Sequence, residues 1–200
     1  MAPYLNVGGL NSTFAILQDV PPPSGTIRVL SRTRKTYNKK LIQSQVVPAV
    51  RQFITQHSKA DLSAITGTLT AFFDSALKDY GARNAGEMAK AQAWVFITIS
   101  KINSYGKHYW HRDGICGLEN GRVLSRYSMA MVGPPTEVIC SSEPQLGLEL
   151  HHAQKGLESL PRHPIATGQV YRFTTGQGDS PIHSTPVFKT GRIFVSVIYY

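Results

Sequence analysis

The sequence predicts an α+β protein in which helices pack on one face of a β-sandwich or barrel. Three observations support this class. Helical periodicity is confined to the first half of the 200-residue chain, short strand patterns fill the second half, and turn residues separate those strands. Helices followed by a run of strands are typical of α+β folds. The length suits one domain, in which residues 1–92 supply an arm and helices and residues 93–200 supply the β core.

Two helices are predicted in the first half of the chain. The first covers residues 41–57, where apolar residues recur at near-helical spacing and Pro48 kinks the run or marks its start. Asp61 is a suitable N-cap for the second helix, and Gly81 is its predicted end. A short third helix is expected over residues 85–92.

Strand patterns rich in β-branched and aromatic residues dominate from residue 93 onward. Turn signals such as Gly133-Pro134-Pro135 separate them. Residues 145–167 show no clear pattern and are predicted to form a long loop. The predicted strands cover residues 13–17, 94–100, 107–111, 124–132, 137–140, 169–174, 182–185 and 192–199.

The net charge of +9 raises the question of an anionic partner. The densest part is residues 28–40, where six basic side chains predict either a solvated N-terminal arm or a patch for such a partner. The excess does not form one continuous stripe, so nucleic acid is a less favoured partner.

The sequence gives no sign of a membrane segment or a disulfide framework. No apolar run reaches the roughly 20 residues that span a bilayer. The N-terminus has no basic segment followed by an apolar one, so a soluble cytoplasmic protein is expected. Cys116 and Cys140 match neither a disulfide framework nor a zinc cluster and are expected to be reduced.

The most informative pattern lies in residues 105–114. Side chains two positions apart in an extended segment point to the same side, so His111 and Asp113 can both reach one metal ion. His183 follows a glycine-rich turn and supplies a second imidazole. Two imidazoles and one carboxylate form the facial triad of a non-haem Fe(II) site, which leaves three coordination positions open. These three residues are the predicted metal ligands and catalytic residues.

Simpler interpretations exist for the same residues. His111 and Asp113 could form a structural or surface pair, and His183 could be a hydrogen-bonded core histidine. Arg192 could cap a hairpin. The histidines that are not expected to be ligands are His108, His151, His152 and His163.

The order His111-x-Asp113, then His183, then Arg192 and Ser196 on the last strand resembles the Fe(II)/2-oxoglutarate-dependent dioxygenases. The aromatic-flanked lead-in to the first motif is also similar, in compressed form. The resemblance implies a double-stranded β-helix, the jelly-roll core shared with cupins. The packing of the N-terminal helices on one face is predicted from the sequence pattern, since residues 1–92 contribute nothing specific to the resemblance. The resemblance also implies Fe(II) and 2-oxoglutarate as cofactors.

The resemblance covers about residues 93–200 and assigns a co-substrate site. In that family a basic residue after the distal histidine binds the far carboxylate of 2-oxoglutarate, often with a nearby serine, and Arg192 and Ser196 match these positions. A planar guanidinium suits a carboxylate through two hydrogen bonds. Arg126 is an alternative carboxylate partner. Tyr127 would point the opposite way, so one of these two residues is expected to face the iron.

The resulting hypothesis is an oxygenase that converts 2-oxoglutarate to succinate while O2 oxidises a small organic substrate by hydroxylation, desaturation or cyclisation. An amino acid or a secondary-metabolite precursor is the expected substrate. Asp113 argues against halogenation, since related halogenases have a small residue at that position.

Two alternatives have different substrates or chemistry. One is an AlkB-like nucleic-acid demethylase, which the net charge favours. The second arginine of that family's last strand is replaced by Ile198. The other is a cupin-type metalloenzyme or binding protein that does not use 2-oxoglutarate.

Overall fold

The computed structural model describes residues 13–23, 28–29, 33–41, 43–59, 61–84, 92–101, 110–113, 124–139, 154–175 and 180–200. The predicted third helix, most of the strand predicted over residues 107–111, both cysteines and three of the histidines lie outside these ranges. Those histidines are His108, His151 and His152.

Two helices, eleven strands and one 3-10 helix are present in the described ranges. In chain order they are β1 (Phe14–Asp19), β2 (Arg28–Val29), β3 (Thr33–Leu41), α1 (Gln43–His57), β4 (Ser58–Lys59), α2 (Leu62–Arg83), β5 (Ala93–Ser100), β6 (Leu124–Val132), β7 (Glu137–Ile139), the 3-10 helix (Gln154–Ser159), β8 (Arg162–His163), β9 (Gln169–Thr175), β10 (His183–Ser184) and β11 (Arg192–Tyr199).

The strands form one large and one small antiparallel sheet. The major sheet has the order β1-β9-β6-β11-β5-β3, and the minor sheet has the order β10-β7-β8. An isolated antiparallel bridge between His111 and His183 extends the minor sheet beyond β10. β2 and β4 pair separately as a short ribbon. The α+β class with a two-sheet β core is therefore confirmed in its coarse form.

Both helices pack on one face of the major sheet, as predicted. Alternate residues of a strand point to opposite faces. On β5 the residues Val95, Ile97 and Ile99 are fully buried in one cluster with Ile54 of α1 and Phe72 of α2. The residues between them on β5 face the other way, toward a cavity. The major sheet thus has one face that is covered by the helices and a second face that lines the cavity.

The predicted N-cap of α2 is confirmed, but its predicted end is wrong. The Asp61 carboxylate accepts a hydrogen bond from the backbone N–H of Ser63 at 2.8 Å. The helix continues past Gly81 to Arg83, where Asn84 donates from its backbone and its side chain to the Tyr80 carbonyl. These bonds satisfy an end carbonyl without a glycine.

Of the two interpretations of residues 28–40, the solvated arm is wrong for residues 33–40, whereas the patch for an anionic partner stays a prediction. Thr33–Leu41 forms β3, a nine-residue edge strand of the major sheet that pairs with β5. Basic side chains are common on edge strands, where they discourage pairing with other chains. Tyr37 fixes the strand to α1 by donating its hydroxyl to the Ala49 carbonyl at 3.1 Å.

The long loop predicted over residues 145–167 is not uniform. Its described part contains the 3-10 helix and β8, which pairs with β7. Leu157 is buried there with Trp110, Ile139 and Ile182. Among the described residues no helix combines the length and apolarity needed to cross a membrane.

A buried polar group joins α2 to the major sheet. The Arg172 side chain is fully buried, and its Nε lies 3.1 Å from Oδ2 of Asp79 on α2. Tyr127 donates its hydroxyl to the same carboxylate at 3.0 Å. Burial raises the pKa of this phenol, and Asp79 raises it further. The Asp79 carboxylate therefore pairs with the buried Arg172 guanidinium and also accepts a hydrogen bond from the buried Tyr127 phenol.

We expect Asp79→Ala to lower the free energy of unfolding by about 3 kcal/mol, because it leaves a buried guanidinium without its carboxylate. The measurement is urea denaturation followed by far-UV circular dichroism. The matched control is Asp74→Ala, which removes an exposed carboxylate from the same helix. Equal midpoints for the two variants would show that the Asp79 contact contributes nothing.

Candidate metal centre

A cavity of about 370 Å³ lies between the major and minor sheets. Its wall on the major-sheet side is built from the faces of β3, β5, β6, β9 and β11 that point away from the helices. All three predicted metal ligands line it, as do Arg126 and Arg192. The structure thus brings five of the seven predicted site residues to one cavity.

The three predicted ligands converge. Oδ1 of Asp113 lies 3.8 Å from Nε2 of His111 and 3.6 Å from Nε2 of His183. Each residue offers one ligand atom, and all three atoms lie within 4.8 Å of one another. Metal bonds of about 2.1 Å place neighbouring ligand atoms roughly 3.0 to 3.4 Å apart. Small side-chain adjustments would therefore let the three residues hold one ion.

Backbone pairing sets the position of the two imidazoles. His111 and His183 exchange two backbone hydrogen bonds of 2.9 Å, so they lie directly opposite each other. Their ring centroids are 4.4 Å apart. Asp113 follows two positions after His111 and reaches the same place. The sequence prediction that this pair shares one side is compatible with that geometry.

The imidazole of the candidate ligand His183 is oriented through Nδ1, the ring nitrogen that points away from Asp113. Nδ1 of His183 lies 3.1 Å from the Pro181 carbonyl and can donate to it. In that tautomer Nε2 keeps its lone pair toward Asp113. Orientation of a ligating imidazole through its other nitrogen is the usual arrangement around metals. Phe173 packs against the ring, with a centroid distance of 4.7 Å.

Arg126 forms an ion pair with the second carboxylate oxygen of the candidate ligand Asp113. Its Nη1 lies 2.5 Å from Oδ2 of Asp113, which leaves Oδ1 directed to the two imidazoles. Burial alone would raise the pKa of the Asp113 carboxyl, but His183 and Arg126 hold that pKa well below its ordinary value. The carboxylate is therefore kept ionised, the form in which it can bind a metal.

Ser196 contacts the Arg126 guanidinium. Its hydroxyl accepts a hydrogen bond from Nε of Arg126 at 3.1 Å. The guanidinium also lies over the Phe96 ring, 5.0 Å from its centroid. Arg126 is thus fixed at both ends between Ser196 and Asp113, an arrangement that suits an orienting residue.

Arg192 is a buried cation at the other end of the cavity. It is 3% exposed, and no carboxylate in the described part of the chain lies within ion-pair distance. Its Nε donates to the Pro134 carbonyl at 2.8 Å and its Nη2 to the Thr136 hydroxyl at 3.1 Å. Burial lowers the pKa of Arg192 to about 10. The Arg192 guanidinium stays charged at neutral pH, and none of the described acidic side chains is its counter-ion.

The turn that holds Arg192 requires a glycine. Gly133 has φ +76°, and a Cβ there would lie 2.5 Å from the Gly191 carbonyl oxygen. Only glycine adopts this conformation at so close an approach without strain. The turn then presents the Pro134 carbonyl to Arg192.

Two buried hydroxyls lie on the face of the major sheet that points away from the helices. They belong to Tyr171 and Ser128, which face each other on β9 and β6. Burial raises the pKa of Tyr171 to about 12, while Thr136 and Arg192 oppose that shift. Together with the buried Arg192, the two hydroxyls provide polar groups suited to an anionic ligand.

The structure removes Tyr127 from the co-substrate candidates. This residue points toward α2, where its hydroxyl contacts Asp79, and it is fully buried in the helix-side core. The alternation along β6 that directs Arg126 into the cavity directs Tyr127 away from it. His163, which was not expected to be a ligand, packs edge-on against Phe14.

Sequence reasoning missed several cavity residues. Arg34 and Thr36 line the cavity from β3, which was not predicted as a strand. Thr136 contacts Arg192 only through the fold of the β6–β7 turn, and no local pattern indicates it.

No protein-family model and no curated protein matches this sequence. Similar folds occur among solved structures. EvdO2 from Micromonospora carbonacea var. aurantiaca, solved with 2-oxoglutarate, aligns over 84% of this chain and 86% of its own at 12% identity, with a TM-score of 0.47. A Pseudomonas putida prolyl-4-hydroxylase aligns over 86% and 72% at 11% identity, with a TM-score of 0.41.

A third structure, EvdMO1, aligns over 62% of this chain at 14% identity, with a TM-score of 0.40, and the chain spans only 30% of its length. These neighbours include a prolyl-4-hydroxylase and a protein solved with 2-oxoglutarate. The interpretation of the site is built on the geometry of its own side chains.

We expect Arg126→Gln to weaken metal binding by about tenfold or more, since an orienting contact to a ligand carboxylate is typically worth that much. The measurement is calorimetric titration of the metal-free protein with Fe(II) under anaerobic conditions. Arg51→Gln, on the exposed face of α1, is the control. Unchanged affinity in Arg126→Gln would mean that Asp113 is oriented without this contact.

Proposed function

We propose that this protein is a non-haem Fe(II)- and 2-oxoglutarate-dependent oxygenase that acts on a small organic substrate. The observation that carries the proposal is the convergence of two imidazoles and one carboxylate in a cavity that also contains Arg192, a buried guanidinium without a described acidic partner. The two imidazoles and the carboxylate suit Fe(II), and the Arg192 guanidinium suits a carboxylate of the co-substrate.

The strand order supports a double-stranded β-helix for the core. Successive segments alternate between the sheets: β5 lies in the major sheet, His111 pairs into the minor sheet, and β6 returns to the major sheet. β7 and β8 lie in the minor sheet, followed by β9 in the major, β10 in the minor and β11 in the major. Such alternation between two packed sheets is characteristic of a jelly roll.

Arg192 is the better of the two candidate anchors for 2-oxoglutarate. Arg126 already contacts Asp113 and Ser196, so its charge is balanced within the protein. Arg192 donates hydrogen bonds only to neutral oxygens among the described residues, and its guanidinium lies 4.5 Å from the Phe194 ring centroid. A carboxylate of the co-substrate would give Arg192 a counter-ion.

When bound, the iron and 2-oxoglutarate supply the oxidation, in which O2 and 2-oxoglutarate are converted with the substrate to oxidised product, succinate and CO2. His111, Asp113 and His183 would hold the metal on one side and leave its opposite side open to the cavity. Four phenylalanines limit water there and strengthen the charged contacts. They are Phe96, Phe173, Phe188 and Phe194.

The size of the cavity favours a small substrate. Its volume of about 370 Å³ lies at the lower end of the range for ligand sites. The co-substrate would occupy part of this volume. Hydroxylation, desaturation and cyclisation all require only that one substrate C–H bond be held near the metal, so the geometry is compatible with each.

The co-substrate assignment predicts a specific loss in Arg192→Gln. We expect 2-oxoglutarate to bind this variant at least about tenfold more weakly, because a charge-assisted contact in a buried site is lost. The measurement is calorimetry on metal-loaded protein without O2. Arg162→Gln, whose arginine pairs with Glu137 outside the cavity, should bind as wild type does. Equal affinity in both variants would place the anchor elsewhere.

The metal assignment predicts that Asp113→Ala abolishes conversion of 2-oxoglutarate to succinate. The variant loses one of three ligands and leaves Arg126 without its carboxylate. The measurement is succinate formation in the presence of Fe(II) and O2, with Asp74→Ala as the control for an exposed carboxylate. Wild-type turnover in Asp113→Ala would contradict the proposed triad.

A further inference from the structure

The cavity carries more positive charge than the two cofactors can balance. With neutral imidazoles, three guanidiniums and one carboxylate give its ionisable lining a net charge of +2. Fe(II) and the dianion of 2-oxoglutarate cancel each other, so this excess persists when both are bound. The lining side chains considered in this count are Arg34, His111, Asp113, Arg126, His183 and Arg192.

The three arginines of the cavity differ in whether an anion balances their positive charge. Arg126 is paired with Asp113, and Arg192 is assigned to 2-oxoglutarate by the proposed function, on which this inference rests. Arg34 is the third. It is exposed at the edge of the cavity, and none of the described carboxylates lies within ion-pair distance of it. One guanidinium therefore stays available to a further anion.

The register of the major sheet places Arg34 within reach of a bound substrate. It lies opposite Thr98 on β5, and Thr98 lies opposite Phe194 on β11. Two strand spacings, roughly 10 Å, separate β3 from β11. Thr36, two residues after Arg34, lies opposite Phe96, whose ring contacts Arg126. The major-sheet wall of the cavity thus begins at Arg34 and continues over the Phe194 and Phe96 rings toward the candidate metal ligands.

The polar groups around Arg34 are those that recognise oxyanions. A guanidinium binds carboxylate or phosphate oxygens in pairs, and the hydroxyls of Thr36 and Thr98 line the same part of the cavity. Asp113 is the one carboxylate among the described lining residues, and it is already paired. A cationic group on the substrate would be repelled here, whereas an anionic group would be attracted.

We propose that Arg34, with Thr36 and Thr98, forms a subsite for an anionic group of the substrate, a carboxylate or a phosphate monoester. The substrate then has an anionic end at β3 and an apolar body over Phe96 and Phe194. This assigns a specificity role to a strand that precedes the core and carries none of the metal ligands.

The test compares three probes of similar shape: benzoate, phenyl phosphate and benzyl alcohol. Each is titrated by calorimetry into anaerobic protein loaded with Fe(II) and saturating 2-oxoglutarate, so that the Arg192 site is filled. At least one anion should bind, and the neutral alcohol should bind at least about tenfold more weakly. The tighter of the two anions identifies the group as carboxylate or phosphate.

The decisive comparison is Arg34→Gln with Lys35→Gln. Both variants lose one positive charge from adjacent residues of β3, but Lys35 does not line the cavity. Anion binding should weaken at least about tenfold in Arg34→Gln and stay within about twofold of wild type in Lys35→Gln. Rising salt should weaken binding in wild type more than in Arg34→Gln. Equal binding by the two variants, tight binding of benzyl alcohol, or no binding of either anion would overturn the proposal.

A repeat without Fe(II) and 2-oxoglutarate separates this inference from the proposed function. Arg34-dependent binding that persists there supports the subsite even if 2-oxoglutarate itself fails to bind the metal-loaded protein, which would refute only the oxygenase assignment. If 2-oxoglutarate binds through Arg192 but the anions bind independently of Arg34, the oxygenase assignment stands and the subsite is refuted.

Discussion

The candidate site depends on the antiparallel bridge between His111 and His183. Two backbone hydrogen bonds of 2.9 Å hold residues that are far apart in the sequence directly opposite each other at the end of the minor sheet. This pairing brings the imidazoles together, and the extended backbone after His111 brings Asp113 to them. A shift of the pairing by one residue would turn His183 to the other face of the sheet and dismantle the group.

The two buried or partly buried arginines of the cavity have different surroundings. Arg126 is neutralised by Asp113 and held by Ser196, so it orients a metal ligand. Arg192 is buried against neutral oxygens, which is costly unless an anion completes its environment. Under the proposed function, Arg126 supports the metal site and Arg192 is the group that binds the co-substrate.

Much of the fold and the central residues of the site were predictable, for identifiable reasons. The bounds of β6 and β11 match the prediction because each is an uninterrupted strand pattern between clear turns. β3 was missed because its basic residues resemble a solvated segment, and only pairing with β5 makes it a strand. The hydrogen bond from Arg126 to Ser196 was not predictable, because it is a contact across strands, which sequence spacing does not contain.

The most direct test of the account is an anaerobic titration of the Fe(II)-loaded protein with 2-oxoglutarate, followed by visible absorption. Chelation of the metal by a 2-oxo acid in the cavity should produce a weak charge-transfer band that saturates at one equivalent per chain. The band should be absent when His183 is replaced by alanine. Iron binding at His111, Asp113 and His183 without any such band would contradict the oxygenase account, and failure to bind iron would contradict the metal centre itself.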